Sequence, residues 1–268
     1  MLFVIDVGNT NTVLGVYARV AHLHPEGDST DPPRYERLLA HWRVATRQGS
    51  TVDEYGVLFR NLFSMASLEA SGIHGIVISS VVPPLDPVLR QVCERYFNSK
   101  PLFIEPGVKT GMPVQYENPA EVGADLVACA IGGKERYGVP LILVSYGTAT
   151  VFMALSAAGD YLGVAIAPGI NISIDALIGR TAKLPQIALD APAHAIGRNT
   201  IEALQAGIIF GFVGQTEALV ARMRREMGVE ARVVATGGLA SVMAKHAAVI
   251  ESVDPHLSLY GLRAFAQT

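Results

Sequence analysis

Apolar positions along this chain keep two rhythms, and the switches between them mark its elements. Residues 2–7 and 11–17 are apolar runs rich in Val and Leu, parted by Gly-Asn-Thr-Asn, and predict a β-hairpin. Residues 38–44 predict a third strand. Between them HPEGDSTDPPRYER is polar, proline-rich and aperiodic, which predicts an exposed, mobile loop at a long hairpin tip. Val52, Tyr55, Leu58, Phe59, Leu62 and Phe63 recur at helical spacing and predict a helix over 52–66. A buried strand at 75–81 stops at Pro83-Pro84. A helix over 86–97 and a short strand at 101–104 follow. Strand and helix alternating in this way argue an α/β layer.

The order then starts again. After a Gly- and Pro-rich link at Pro106–Pro119, the pattern predicts a helix over 120–137 and strands at 141–145, 149–156 and 161–167. Helices are expected over about 170–180 and 199–228, a strand at 232–235 and a helix at 239–245. A last helix over 255–266 is opened by Asp254. Each half begins with three strands and continues as mixed helix and strand, so the expected domains are 1–118 and 119–268. No short-period repeat is present.

The duplication is sharpest at two turns. Residues 3–14 read FVIDVGNTNTVL and residues 142–153 read ILVSYGTATVFM. Each is a buried strand, a tight turn around Gly8 or Gly147, small hydroxyl residues, then a second apolar strand. Asp6 precedes the first turn, and Ser145 holds the same place before the second. Glycine lets such a turn take positive φ and approach a ligand closely. The exposed N–H groups of the turn form an anion-binding concavity, to which Asn9, Thr10 and Thr12 add uncharged donors. Asp6 repels phosphate but can hold Mg²⁺, usually through water, and the metal then binds phosphates. The plainer reading is a hairpin turn with an Asp supporting its backbone. Finding the device twice favours the functional reading.

Two weaker signals accompany the turns. Ala235-Thr236-Gly237-Gly238-Leu239 is a strand, two glycines and a helix start, which could admit an adenine or ribose face. The same junction is common as packing alone. With the turns it suggests a nucleotide cleft between two domains. Glu121-Val122-Gly123-Ala124-Asp125 opens a helix, with Pro119 suited to a first turn. Asp125 lies where the helix dipole favours an ionised carboxylate. It could accept a substrate hydroxyl proton, or be an ordinary solvated Asp.

Composition narrows the classes. The 268 residues suit one large or two medium domains, and half of them are hydrophobic. Mean hydropathy is +0.33, yet no uninterrupted apolar run reaches the roughly 18 residues that would span a bilayer. The N-terminus reads as a strand rather than a signal peptide. A net charge of −3 gives no electrostatic reason to expect nucleic acid or a membrane. The histidines lack metal-ligand spacing. Cys93 and Cys129, each inside a helical pattern, are expected to be buried free thiols of a cytoplasmic protein.

Many segments, in order, resemble type III pantothenate kinases: DVGNTNTVLGVY (6–17), AHWRVAT (40–46), DEYGVLFRNLF (53–63), SSVVPPL (79–85), GMPVQYENPAEVGAD (111–125), AIAPGI (165–170), AKLP (182–185), IGRNT (196–200) and ATGG (235–238). The resemblance implies an α/β chain of two ribonuclease-H-like domains of actin-like ATPase type with a cleft between them, usually paired as a homodimer. It implies transfer of the ATP γ-phosphate to the 4′-hydroxyl of pantothenate, the first step of coenzyme A synthesis. By position, Asp6, Val7, Gly8, Asn9, Thr10, Asn11, Thr12 and Val13 would bind the ATP phosphates, with Asp6 near Mg²⁺, and Thr148 would touch ATP. Asp125 would be the catalytic base. Tyr116, Gly123, Ala124, the position of Leu126, and Thr200 would line the pantothenate site.

The chain departs from the family pattern at four places. Leu126 stands where the family has an Arg facing the substrate carboxylate. A charge-assisted hydrogen bond is worth roughly 1.5–3 kcal/mol, so its loss corresponds to ~10- to 150-fold in affinity. Ser145 replaces an Asp implicated in binding an activating monovalent cation, K⁺ or NH₄⁺. Cys129 and Met153 replace an Asn and an Asp. Three readings stay open at this point: a working kinase with a rebuilt site, a non-catalytic or redirected paralogue in a regulatory or scaffold role, or substitutions engineered for stability or specificity.

Overall fold

Both halves of the chain build the same sheet. In the computed structural model, which describes residues 1–20, 34–105, 110–181 and 183–267, β1 (Leu2–Val7), β2 (Asn11–Val20) and β3 (Arg34–Ala45) form an antiparallel meander. β4 (Gly75–Ser80) then joins β1 in parallel and β5 (Leu102–Phe103) joins β4, giving the order β3-β2-β1-β4-β5. In the second half β6 (Leu141–Tyr146), β7 (Ala149–Leu155) and β8 (Tyr161–Pro168) make the meander. β9 (Arg232–Thr236) pairs in parallel with β6, and β10 (Ser252–Val253) with β9. Counted from its own first strand, each sheet runs 3-2-1-4-5. The duplicated sequence device is thus a duplicated topology.

Strand alternation explains the first core. Phe3, Ile5 and Val7 point to one face of β1 and join Leu14 and Val16 of β2. α1 (Val52–Met65) brings Tyr55, Phe59 and Phe63, four residues apart, onto that face, and α2 (Asp86–Phe97) adds Leu89, Val92 and Phe97. The Phe3 and Phe63 rings meet edge to face at 5.0 Å. α1 starts at a capping box, in which the Thr51 hydroxyl accepts from Glu54 N and the Glu54 carboxylate accepts from Thr51 N. The opposite face is covered by α7 (Leu257–Phe265), whose Leu259 lies against Gly15. α7 crosses α3 (Ala124–Tyr137) so closely that a Cβ on Gly261 would collide with the Ala128 carbonyl.

In the second half Ile142, Val144, Tyr146 and Phe152 face α4 (Ile170–Gly179) and α5 (Thr200–Met227). α5 presents a buried stripe of Ala206, Ile209, Val213, Thr216 and Val220. The Tyr146 and Thr216 hydroxyls meet at 2.7 Å within this core. α6 (Ala240–Met243) follows β9. By packing, the chain forms two compact units: Met1–Gly111 with Asn118–Glu135 and Ser258–Thr268, and Met112–Glu117 with Arg136–Leu257.

Several boundaries differ from expectation. β3 begins at Arg34, so residues 34–37 belong to the strand; residues 24–33 of the expected loop lie outside the described residues. In the expected link, residues 106–109 also lie outside, whereas 113–115 pair with the start of β8. The helix expected from 120 starts at Ala124, because Pro119–Glu121 is a separate 3-10 turn capped by Asn118. The last helix starts at Leu257, and Asp254 caps the turn before it by accepting from His256 N. β10 was not foreseen; two residues carry no period. Cys93 and Cys129 are buried free thiols. α5 is also long and apolar enough to cross a membrane by length and composition, although its uninterrupted apolar stretch, 206–214, is far shorter than a span.

Candidate active site

The first turn joins β1 to β2 across the Val7↔Thr12 pair. Asn9 and Thr10 are exposed, Gly8, Asn11 and Val13 partly so, and Val7 and Thr12 are buried. The turn is closed by Gly8 N donating to Asn11 O at 3.0 Å. Gly8 does not adopt the expected positive φ. Its glycine character answers to space, since a Cβ there would lie 3.1 Å from the Asn11 carbonyl. Thr46, just past β3, braces the turn. Its hydroxyl donates to Gly8 O at 2.7 Å, it lies 2.9 Å from the Thr12 hydroxyl, and its main-chain N donates to Thr10 O.

Sheet register places charge beside this turn. Asp6 pairs with Val13 on one side and Ser79 on the other, and Val13 pairs with Arg43. The Ser79 hydroxyl donates to Asp6 at 2.6 Å, and Ser258, at the start of α7, donates to the same carboxylate. Burial nevertheless raises the Asp6 pKa above its ordinary value, outweighing both seryl donors and the Arg43 charge.

Asp125 stands in the first turn of α3, within the same unit as Asp6. The helix begins as Leu126 N and Val127 N donate to Gly123 O. A Cβ on Gly123 would lie 2.6 Å from the Asp125 carboxylate, so a larger residue here would displace that side chain. Burial, then the nearby charge of Asp6, push the Asp125 pKa up to about 6. The Leu126 amide, 2.9 Å from the carboxylate, opposes them. A buried carboxylate whose pKa is raised by the charge of a second one favours a cation in its neighbourhood. An oxygen-only donor set with few protein ligands fits Mg²⁺, which keeps waters and takes phosphate oxygens. Ala124 and Leu126 flank Asp125 and are partly buried.

The remaining expected residues belong to the second unit. Gly147 N donates to Ala149 O across the second turn, where Gly147 and Thr148 are exposed. Gly237 takes φ +91°, with Tyr146 O only 2.5 Å from where its Cβ would be. This packs the Gly237-Gly238 junction against the second turn. Ser145 pairs with Val151 and Thr236, and Leu143, Met153 and Val234 are its neighbours one step along that face. None of them carries a charge, and Met153 is 0% exposed. A carboxylate-type cation site does not fit these residues. Tyr116 is partly buried near Gly163, and Thr200 is exposed at the start of α5, where Asn199 caps the helix through Glu202 N. Thr46, Ser79 and Ser258 were missed from sequence. Thr46 and Ser79 lay in segments singled out there, and Ser258 did not.

The paired sheets and turns define the actin-like ATPase fold. Similar solved structures include component A of (R)-2-hydroxyglutaryl-CoA dehydratase from Acidaminococcus fermentans, with TM-score 0.53, 11% identity, and 100% and 97% of the two chains covered. The activator of 2-hydroxyisocaproyl-CoA dehydratase from Clostridium difficile, with bound ADPNP, gives 0.50 at 12% identity over 99% and 92%. Sequence takes the assignment further. The family profile for type III pantothenate kinase matches residues 2–222. A type III pantothenate kinase from Koribacter versatilis (strain Ellin345) is 53% identical over 98% of this chain and 94% of its own. The chain belongs to the type III pantothenate kinase family and is an ATP-dependent kinase. The paralogue reading finds no support among these relatives.

Proposed function

We propose that this chain transfers the γ-phosphate of ATP to the 4′-hydroxyl of pantothenate, in the cytoplasm, as the first step of coenzyme A synthesis. The observation that carries this reading is Asp125, raised to about 6 beside Asp6 and the first turn. A carboxylate with a pKa near working pH is suited to accept the hydroxyl proton during attack. The backbone of residues 7–13 is assigned to phosphate, and Thr148, Gly237 and Gly238 to the nucleotide. Asp6, with water, would hold Mg²⁺, which supplies neutralisation of phosphate charge. Tyr116, Gly123, Ala124, Leu126 and Thr200 line the acceptor site. Leu126 offers this substrate an apolar contact and no charge. The neutral surroundings of Ser145 support a kinase without a K⁺ or NH₄⁺ response. We assign the ribonuclease-H-like domains to 1–118 and 119–268 from the repeated strand order.

A homodimer is supported by α5. Only 28% of its apolar window is buried, and its open face is Gly207, Gly211, Gly214, Ala218 and Ala221, with Ile201 at 50% exposure. A Cβ at any of these three glycines would meet nothing within 4 Å among the described residues outside the helix backbone. Each glycine costs a helix about 1 kcal/mol against Ala. Packing within the chain does not require them, whereas close approach of a second copy's helix does. Gly211→Leu should therefore shift the protein toward monomer in sedimentation; an unchanged dimer would remove α5 from the interface.

The deciding experiment is ATP-dependent phosphorylation of pantothenate by purified protein with Mg²⁺, titrating K⁺ against Na⁺. Turnover without K⁺ response is expected. A folded protein that binds Mg·ATP but turns over no pantothenate would sink the substrate assignment.

A further inference from the structure

We propose that Thr12 and Thr46 are positioning residues, joined in a hydroxyl relay that sets the backbone of the first turn, and that neither hydroxyl touches phosphate. The inference rests on the reading of that turn as the ATP phosphate site.

Proton counting carries it. The Gly8 carbonyl can only accept, so the hydroxyl of Thr46, 2.7 Å away, gives its single proton there. The Thr12 and Thr46 hydroxyls are 2.9 Å apart. With the Thr46 proton committed, Thr12 is the donor of that contact. Thr12 is 1% exposed and has no second proton to offer an anion. A side chain that sequence places among the phosphate donors is therefore turned inward.

The relay has a defined mechanical effect. A trans peptide holds its C=O and N–H on opposite sides. Drawing the Gly8 carbonyl toward Thr46 aims the Asn9 amide away from it, on the exposed side of the turn. Thr46 N fixes a second carbonyl, that of Thr10, at 3.0 Å. Thr46 is itself anchored through its neighbour. Arg47 N donates to the Tyr55 hydroxyl at 3.0 Å, and that hydroxyl donates back to Arg47 O at 3.2 Å. Tyr55 is 2% exposed in the α1 core. The path from helix core to anion-facing amide is thus Tyr55, Arg47 backbone, Thr46, Gly8 carbonyl, Asn9 N–H.

The test is a double-mutant cycle on Mg·ATP affinity, using Thr12→Val, Thr46→Val and both together, with melting temperatures recorded alongside. Each single change should weaken binding ~10-fold, the usual scale of one hydrogen bond. The double variant should be no weaker than Thr46→Val alone. Thr46→Ser, which keeps the hydroxyl, should recover most of the affinity, and KM for pantothenate should stay unchanged while KM for ATP rises. Additive losses would show that Thr12 contacts phosphate by itself and would overturn the relay, as would valine variants that bind ATP normally. Should Thr46→Val fail to fold, Thr12→Val and Tyr55→Phe carry the test, both being expected to weaken ATP binding. A wild-type protein that binds no Mg·ATP would instead sink the nucleotide reading of the turn.

Discussion

The two glycine turns occupy equivalent places in equivalent sheets, yet they are held by different means. The first is built from side chains. Asp6 receives Ser79 and Ser258, and Thr12 reaches the hydroxyl of Thr46. The second is built chiefly on main-chain contacts. Thr150, in the place of Thr12, donates to the Pro168 carbonyl, Gly169 N donates to Thr148 O, and Gly237 is pressed onto the Tyr146 main chain. Ser145 stands among uncharged neighbours where the first turn keeps an acid. Duplication preserved the topology in both halves, while the ionisable chemistry is concentrated in the first. Side-chain bracing can carry and tune charge; backbone bracing gives shape alone.

The largest effect should come from the acid pair. Asp125→Asn should lower kcat by about 10²- to 10⁴-fold, the usual weight of a general base. It should also stabilise the fold. The folded pKa of about 6 lies above the ordinary 3.8, so the folded state retains a proton that the unfolded chain gives up between those values. Stability from this group is full below about pH 4 and is lost as pH rises through about 6. The Asn variant should thus melt higher than wild type at pH 8, by on the order of 2 kcal/mol, with the gap closing toward pH 4. Denaturant curves at the two pH values check the sign. A wild type equally stable relative to Asn at both would place the Asp125 carboxyl in an unperturbed environment.

The next test sets glycine against glycine. Gly237 combines positive φ with a backbone atom 2.5 Å from a Cβ, so Gly237→Ala should cost about 2–4 kcal/mol. Gly8 has ordinary φ and a 3.1 Å approach, which a small shift of the Asn11 carbonyl can relieve. Gly8→Ala should cost about 1 kcal/mol in stability while still weakening Mg·ATP binding. Equal losses of melting temperature would erase the distinction between a shape-bearing turn and a ligand-bearing one.

What the sequence made legible follows the reach of each signal. The hairpin of β1 and β2 and the α1 stripe of Tyr55, Phe59 and Phe63 were readable because their periods lie within one element. The repeated turn was readable because a strand, a glycine and two hydroxyls fit in twelve residues. The start of α3 was misplaced because Pro119 suits the first turn of any helix, including a separate 3-10 turn. The need for glycine at position 8 was foreseen but its cause was not, since φ and crowding leave the same residue in the sequence. Ser79 and Ser258 were invisible, because their bonds to Asp6 depend on strand register and on the packing of a helix from the far end of the chain. Asp125 was named by position; its raised pKa needed the geometry of Asp6.

The smallest effect tests whether the second turn can be given charge at all. Ser145→Asp would set a carboxylate beside Leu143, Val151, Met153 and Val234, with Thr236 as the nearest hydroxyl in register. A partly buried carboxylate with few partners is penalised, so in Na⁺ buffer the variant should lose about 1–2 kcal/mol and melt lower at pH 8 than at pH 5, where it can protonate. A monovalent cation that binds only the folded variant returns stability as its concentration rises. K⁺ should therefore raise the melting temperature of the Asp variant and leave wild type unmoved. If wild type itself gains with K⁺ over Na⁺, then neutral oxygens around Ser145 already hold the ion. The second turn would then be charged in practice, by a bound cation rather than by a side chain.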